Sequence, residues 1–530
     1  VKDSSSALSI PLFDQLLALF TFNRLATLSL VSLTSLLVAC GGSGGGGNGG
    51  GNPLTGGGGN KDVWQAGSFK ASTTFGNLCE APRVGRSEFT GINFPDKKGT
   101  RSDEKNFLRS WNHETYLWFS EVTDITPLLA SQTPQDYFSL LKTNLRTSSG
   151  ALKDNFHWYE PTADAEAWSA GVTYGYGLNL KVESWSVPRT IRVAYTDTGS
   201  AAAAKGVKRG AKIIAIDGLS VSSVNINTLI EQLFPSSINA VHEFEILEPG
   251  QSVSRKVTLE SRAIDTDSVS VAKVIEHSGS KVGYMQFNTF IPAAQDKWVT
   301  AINSMKNAGV SDLILDMRYN GGGYISVAAQ AAYMIAGSNT DNKVFFQDVA
   351  NSKMPKEDPW PFLDTGLYGL NNGLKLPTLN LQRVYVLATG DTCSASELVI
   401  NSLRGIGVGV YLIGDTTCGK PYGYVPTPNC GTTYYTIQFK SINAKGFGEY
   451  SDGFVPSSTD NNEDRVKGCK VSDDLTHELG DPQEALLATA LQFRTTGSCS
   501  VVASNRQQKT AADTFTGELV RPDVREIMIR

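Results

Sequence analysis

Three short runs, residues 313–315, 384–388 and 410–413, are almost entirely apolar. Too short for helices, they read as strands buried on both faces, as a parallel sheet covered by helices requires. Helical spacing fills the gaps between them. On 395–406, Ala395, Leu398, Val399, Ser402, Leu403 and Ile406 share one face. Further strands are expected at 282–287 and 312–319, and further helices at 293–307 and 325–336. Residues 268–500 therefore predict an α/β core of βαβ units. Sites in such cores form just past the carboxyl ends of the strands. The Pro-, Gly- and Asn-rich connection 350–382 reads as a long functional, lid-like loop.

A chain of 530 residues has room for about three or four domains. Residues 61–165 read as a small helical unit. Phe107, Leu108, Trp111, Thr115 and Trp118 form an aromatic core stripe, and Pro134 opens a second helix carrying Tyr137, Phe138, Leu140 and Leu141. Residues 170–262 are rich in strand patterns, and 501–530 are a C-terminal tail. The net charge of −5 and the lack of any basic block exclude nucleic acid as a partner. Apolar content of 40% excludes a predominantly disordered chain.

The front of the chain has its own character. Residues 25–39 are apolar or hydroxylic, follow Arg24 and end Leu37-Val38-Ala39-Cys40. The run is shorter than the ~20 residues of a membrane span and fits the apolar part of a secretory signal. Its end resembles the bacterial lipobox. That resemblance implies a signal over 1–39, lipidation at Cys40, and a lipid-anchored protein on the periplasmic side of the cell envelope, at the outer membrane in a Gram-negative cell. Thirteen of the 52 glycines crowd into 41–59, so 40–60 is a flexible tether. Six further cysteines include no C-x-x-C pair, and the five histidines are scattered, so no metal site is expected. An even cysteine count in an exported chain permits disulfides. Cys418 with Cys430 is the first pair expected, and Cys469 with Cys499 the second.

Three segments sit where chemistry is expected. Residues 316–323 read Asp-Met-Arg-Tyr-Asn-Gly-Gly-Gly, and their glycines let backbone approach a ligand. Residues 392–397 (Thr-Cys-Ser-Ala-Ser-Glu) open a helix, where amides are unpaired donors. Residues 418–423 (Cys-Gly-Lys-Pro-Tyr-Gly) form a loop after the next strand. Taken singly, these are an ordinary turn, an N-cap and a surface lysine.

Together, in this order and spacing, they resemble the carboxyl-terminal processing proteases, tail-specific serine peptidases with a PDZ domain. The run 206–218, Gly-Val-Lys-Arg-Gly-Ala-Lys-Ile-Ile-Ala-Ile-Asp-Gly, within the strand–helix order of 170–262, resembles a PDZ domain of that type. The resemblance implies a multidomain α/β protein: helical N-terminal unit, PDZ-like module and ClpP/crotonase-like protease core. It implies Ser394 as nucleophile, Lys420 as general base and no cofactor. It also implies an oxyanion hole from the amides of Ala395 and Gly322. Gly175, Tyr176, Gly177 and Leu178 would hold a peptide carboxylate. Substrates would be proteins or peptides with apolar C-termini, and a lipoprotein activator is a further expected partner. A lysine acts as base only when neutral, so Lys420 is expected buried and in hydrogen-bond reach of Ser394. Relatives carry a Gln four residues after the lysine where this chain has Tyr424, which leaves Glu397 and Gln438 as candidates for a third partner. Two rival readings are a non-catalytic envelope protein that binds peptides and a crotonase-like acyl-transfer enzyme.

Overall fold

The computed structural model describes residues 64–129, 131–147, 149–182, 186–235 and 238–499, with strands at 518–520 and 527–529. The signal segment 1–39, Cys40 and the tether 40–60 lie outside the described residues.

The N-terminal unit is built on α1 (Arg101–Thr115) and α2 (Pro134–Phe138). Each starts with a reciprocal cap, Thr100 with Asp103 and Thr133 with Asp136, which satisfies otherwise orphaned amides. Phe107, Leu108, Trp111, Tyr137, Phe138 and Leu141 form its core. The helices are shorter than the apolar pattern predicts. Tyr116 turns extended and ends α1 before Trp118, and Leu140, past α2, is 47% exposed. Strand β1 (Trp158–Pro161) and α3 (Thr162–Ser169) complete the unit.

The next unit contains β2 (Val172–Gly175), β3 (Leu178–Val182), β4 (Ile191–Thr196), β5 (Lys212–Ile216), α4 (Ile226–Leu233), β6 (Val241–Leu247), β7 (Arg255–Glu260) and β8 (Arg262–Asp265). Its antiparallel sheet runs β7-β6-β5-β4-β3, with β2 and β8 paired separately. Leu180, Val193, Ile213, Leu229 and Phe244 fill its own core.

The α/β core follows: β9 (Val269–His277), β10 (Ser280–Phe287), α5 (Ala294–Ala308), β11 (Asp312–Asp316), β12 (Gly322–Tyr324), α6 (Ile325–Ala336), β13 (Val344–Ala350), β14 (Arg383–Ala388), α7 (Ala395–Gly405), β15 (Gly409–Gly414), β16 (Tyr422–Gly423), β17 (Thr432–Tyr435), β18 (Phe439–Ile442), β19 (Val455–Ser457), β20 (Arg465–Lys470) and α8 (Ala485–Thr496). The main sheet runs β9-β10-β11-β14-β15-β20-β19, parallel except for the edge strand β9. Helices α5, α6 and α7 cover one face and α8 the other. Every residue of β11 is buried, which explains the apolar run Leu313–Leu315 between its two aspartates. β17 pairs with β1, and Tyr434 enters the N-terminal core, so the first unit is knitted to the last.

Two expectations are corrected here. The connection 350–382 is not a free loop. It is fastened to α5, where Gln295 accepts from Leu367 N (2.7 Å) and Asp296 from Leu370 N (2.8 Å). Cys418 does not pair with Cys430. The bonds are Cys79–Cys430, Cys393–Cys418 and, as expected, Cys469–Cys499. The turn before β17 carries Cys430 to the N-terminal unit, while Cys418 faces Cys393, the residue before Ser394.

The tail contributes two strands. β21 (Glu518–Val520) pairs antiparallel with β3, and β22 (Ile527–Ile529) pairs parallel with β12.

Candidate active site

Ser394 closes the turn between β14 and α7 with φ of 60° and ψ of −112°, a backbone state costly for any side chain. Such a turn presents the hydroxyl at the start of a helix instead of folding it back as a cap. Ser394 Oγ is buried and has no hydrogen-bond partner among the described residues. The next residue, Ala395, is the first of α7. The preceding residue, Cys393, is bonded to Cys418, two positions before Lys420.

Glu397 fixes the geometry of the whole turn. One carboxylate oxygen accepts from Thr417 Oγ1 (2.5 Å) and Gly419 N (2.8 Å). The other accepts from Ser394 N (3.0 Å) and Lys420 N (2.8 Å). It thus clamps the serine and lysine backbones to one group. Burial pushes the Glu397 carboxyl up to about 7, against the downward pull of these donors. The sequence offers Glu397 as a candidate third partner but not this clamp, since three of its four donors are main-chain amides.

Lys420 is fully buried, 0% exposed. Its Nζ lies 4.5 Å from the Phe156 ring centre and donates to Tyr424 Oη at 3.0 Å. Trp158 Nε1 donates to the same oxygen (3.2 Å), so β1 of the N-terminal unit helps to place it. The expected bond between Lys420 and Ser394 is not formed, because Ser394 Oγ has no partner and the amine is turned to Tyr424. Gln438 is directed elsewhere, donating to Val425 O at 3.3 Å.

The glycine turn hangs on buried charge. Arg318 binds Asp316, Asp473 and Glu484, and Arg209 of the PDZ-like unit adds bonds to Asp473 (2.8 Å) and Tyr319 (2.6 Å). Burial alone would raise Asp473, but Arg209 and Arg318 hold it well below the usual carboxylate range. Asn320 ties this turn to the serine, its carbonyl accepting from Cys393 N (3.0 Å) and Ser396 Oγ (2.9 Å).

The amide of Gly322 is already spent on Asn320 Oδ1 at 2.9 Å. In this structure the amide expected in the oxyanion hole is therefore already occupied. Gly322 O and Tyr324 N both bond Phe290 (2.9 and 2.7 Å), so strand alternation turns the N–H of Gly323 to the opposite edge. A Cβ on Gly323 would lie 2.3 Å from Phe290 O, so only glycine fits there. Beside Tyr324 opens a cavity of about 600 Å³ whose walls include Phe89, Ile92, Phe94, Trp168 and Tyr435.

The second site is the turn into β3. Gly175 and Gly177 take φ of 149° and 75°, and a Cβ on Gly177 would strike Ser200 at 2.1 Å. Tyr176 is buried against His242 and Phe244, and Leu178 begins β3. On β3 itself, Lys181 reaches Asp391 (2.5 Å), three residues before Ser394.

Residues 281–441 match the family model of Peptidase family S41, and residues 170–238 match that of the PDZ domain. A carboxyl-terminal-processing protease of Picosynechococcus sp. is 25% identical over 252 residues, 48% of this chain and 55% of the relative. Over its PDZ and S41 segments the chain is similar to carboxyl-terminal processing proteases. The carboxy-terminal processing protease CtpA of Bacillus subtilis is 24% identical over 338 residues, 62% of this chain and 66% of its own. A solved Bacteroides fragilis chain assigned to the S41 proteases shares the fold, with TM-score 0.58 at 22% identity, covering 73% of this chain and 96% of its own. The chain spans a little over half the length of the first curated relatives that it matches. The PDZ match spans residues 175–178, and the S41 match spans Ser394 and Lys420.

Proposed function

We propose that this protein is a serine endopeptidase that selects protein substrates by their C-terminal tails. Ser394 Oγ attacks the scissile carbonyl and its proton passes to Lys420 Nζ. The lysine then protonates the leaving amine as the C–N bond breaks, and water hydrolyses the Ser394 ester. For the first transfer the lysine side chain turns from Tyr424 toward the serine; such contacts commonly tighten only with substrate bound. The oxyanion is held by the amides of Ala395 and Gly323. Each such donor is typically worth about 10²–10³ in rate.

The observation that carries this reading is the Glu397 clamp, which joins a positive-φ serine and a fully buried lysine through one carboxylate. A peptide-binding protein without catalysis has no use for that strained serine. The apolar cavity beside Tyr324 supports apolar residues near the cleaved bond, and the loop from Gly175 to Leu178 is the carboxylate-holding loop of the PDZ domain. The lipobox-like end at Cys40 and three disulfides support a lipid-anchored protein in an oxidising envelope compartment.

The test uses the chain with an unstructured protein ending in an apolar tail. Wild type is expected to cleave it, more slowly when the tail is made acidic, while Ser394→Ala and Lys420→Ala do not. Equal cleavage by Ser394→Ala would overturn the nucleophile assignment.

A further inference from the structure

We infer that the chain's own last strands, 518–520 and 527–529, are a tethered peptide ligand, and that substrates bind by displacing them. This rests on the proposed function only in naming what is displaced; the occupancy itself is a matter of strand pairing.

Both strands take edges that a peptide would need. β21 adds antiparallel to β3, with Val520 opposite Leu180 and Glu518 opposite Val182. β3 is the edge strand of the PDZ sheet and follows directly on the glycine turn at 175–178, so this is strand addition at the peptide-receiving edge. β22 pairs Gly322 with Ile527 and Gly323 with Met528. It lies along the edge to which the Gly323 amide is turned. β16, which begins two residues after Lys420, also lies near it. A strand there stands between the oxyanion glycine and the lysine loop, where a substrate backbone belongs. Ser394 is fully buried in this structure, as a serine beneath a seated peptide is.

Six residues separate Val520 from Ile527, and seven steps of extended chain reach at most about 25 Å. The Lys181–Asp391 pair already holds the middle of β3 against the serine turn. Tethering also makes the occupancy strong. A segment of the same chain can act at an effective concentration of about a millimolar, so modest intrinsic affinity suffices. An exposed strand edge is otherwise a hazard for association with other chains. The same layout defines a substrate class: tails with two short strand-forming segments about six residues apart, one for each edge.

The experiment measures binding on the catalytically silent Ser394→Ala chain. A fluorescent peptide of residues 517–530 is titrated by anisotropy into that chain and into the same chain carrying Leu519→Pro and Met528→Pro. Proline is disfavoured inside a paired strand, so the two substitutions weaken both ladders. The peptide is expected to bind the proline variant at least ~10-fold more tightly. Amide exchange at 178–182 and 322–324 is expected to rise in the proline variant, while the amides of β11 stay as protected as before. Equal affinity and equal exchange would overturn the inference. A peptide shortened by two residues between its segments should bind at least ~10-fold more weakly; equal binding would overturn simultaneous use of both edges. Since none of these readouts needs turnover, they stand or fall separately from peptidase activity.

Discussion

Replacing Glu397 by Gln is the sharpest single perturbation of this site. The carboxylate takes four donors, two on each oxygen, in a fully buried position. Glutamine keeps the shape but turns one oxygen into an NH₂ group. If the NH₂ faces Thr417 and Gly419, the threonine hydroxyl can rotate to accept, and the Gly419 amide is orphaned. In the other orientation the amides of Ser394 and Lys420 both lose their acceptor. At least one buried N–H is left unpaired, costing about 1–3 kcal/mol. In a domain of this size each kcal/mol lowers the unfolding midpoint by roughly 2–4 °C. Displacing Ser394 or Lys420 by on the order of 1 Å should also cost about 10²-fold in kcat. The pH dependence gives an independent reading. With its carboxyl raised from 4.5 to about 7 in the fold, native Glu397 holds a proton in that window that the unfolded chain has lost. Unfolding free energy therefore falls as pH rises across the window, by up to about 1.4 kcal/mol per unit, and levels off above it. The Gln variant lacks that component, so its deficit against wild type is largest near the acid end of the window. Thermal unfolding at several pH values, with kcat on a tail-bearing substrate, checks both parts. An unchanged midpoint and unchanged kcat would refute the clamp.

Other substitutions probe the neighbouring contacts. Gly323→Ala places a methyl 2.3 Å from Phe290 O and should lower kcat by about 10²–10³-fold, measured under saturating substrate. Opening the Cys393–Cys418 bond with Cys393→Ser and Cys418→Ser frees a loop of 25 residues, a loss of about 3 kcal/mol on chain entropy, seen as a lower urea midpoint. Arg209→Met deprives Asp473 and Tyr319 of a buried partner and should cost about 3–5 kcal/mol. Limited proteolysis should then cut between the PDZ unit and the core.

The parts legible in the sequence are those set by local pattern. β11, β14 and β15 are legible from the apolar runs 313–315, 384–388 and 410–413, because burial on both faces leaves few polar positions. The glycine turn and the 206–218 run were equally plain. What escaped depends on partners far along the chain. The clamp by Glu397 is invisible because its partners are mostly amides, which every residue has. In a run of three glycines, nothing says whether Gly322 or Gly323 faces the site; strand parity relative to Phe290 decides it. Cys430 lies closer in sequence to Cys418 than to Cys79, yet the turn before β17 points it at the N-terminal unit. Trp118 and Leu140 kept helical spacing past the ends of α1 and α2 because tertiary contacts, not periodicity, stop those helices. The tail strands β21 and β22 are three residues each and gain their pairing from edges in other units.

The central claim, that Ser394 is the nucleophile activated by Lys420, is tested most directly by covalent trapping. The full chain carrying Leu519→Pro and Met528→Pro, and the unmodified chain, are treated with a fluorophosphonate and digested for mass spectrometry. One adduct, on Ser394, is predicted, faster in the proline variant and abolished by Lys420→Ala. An adduct on another serine, or labelling of Ser394 undiminished by Lys420→Ala, would contradict it.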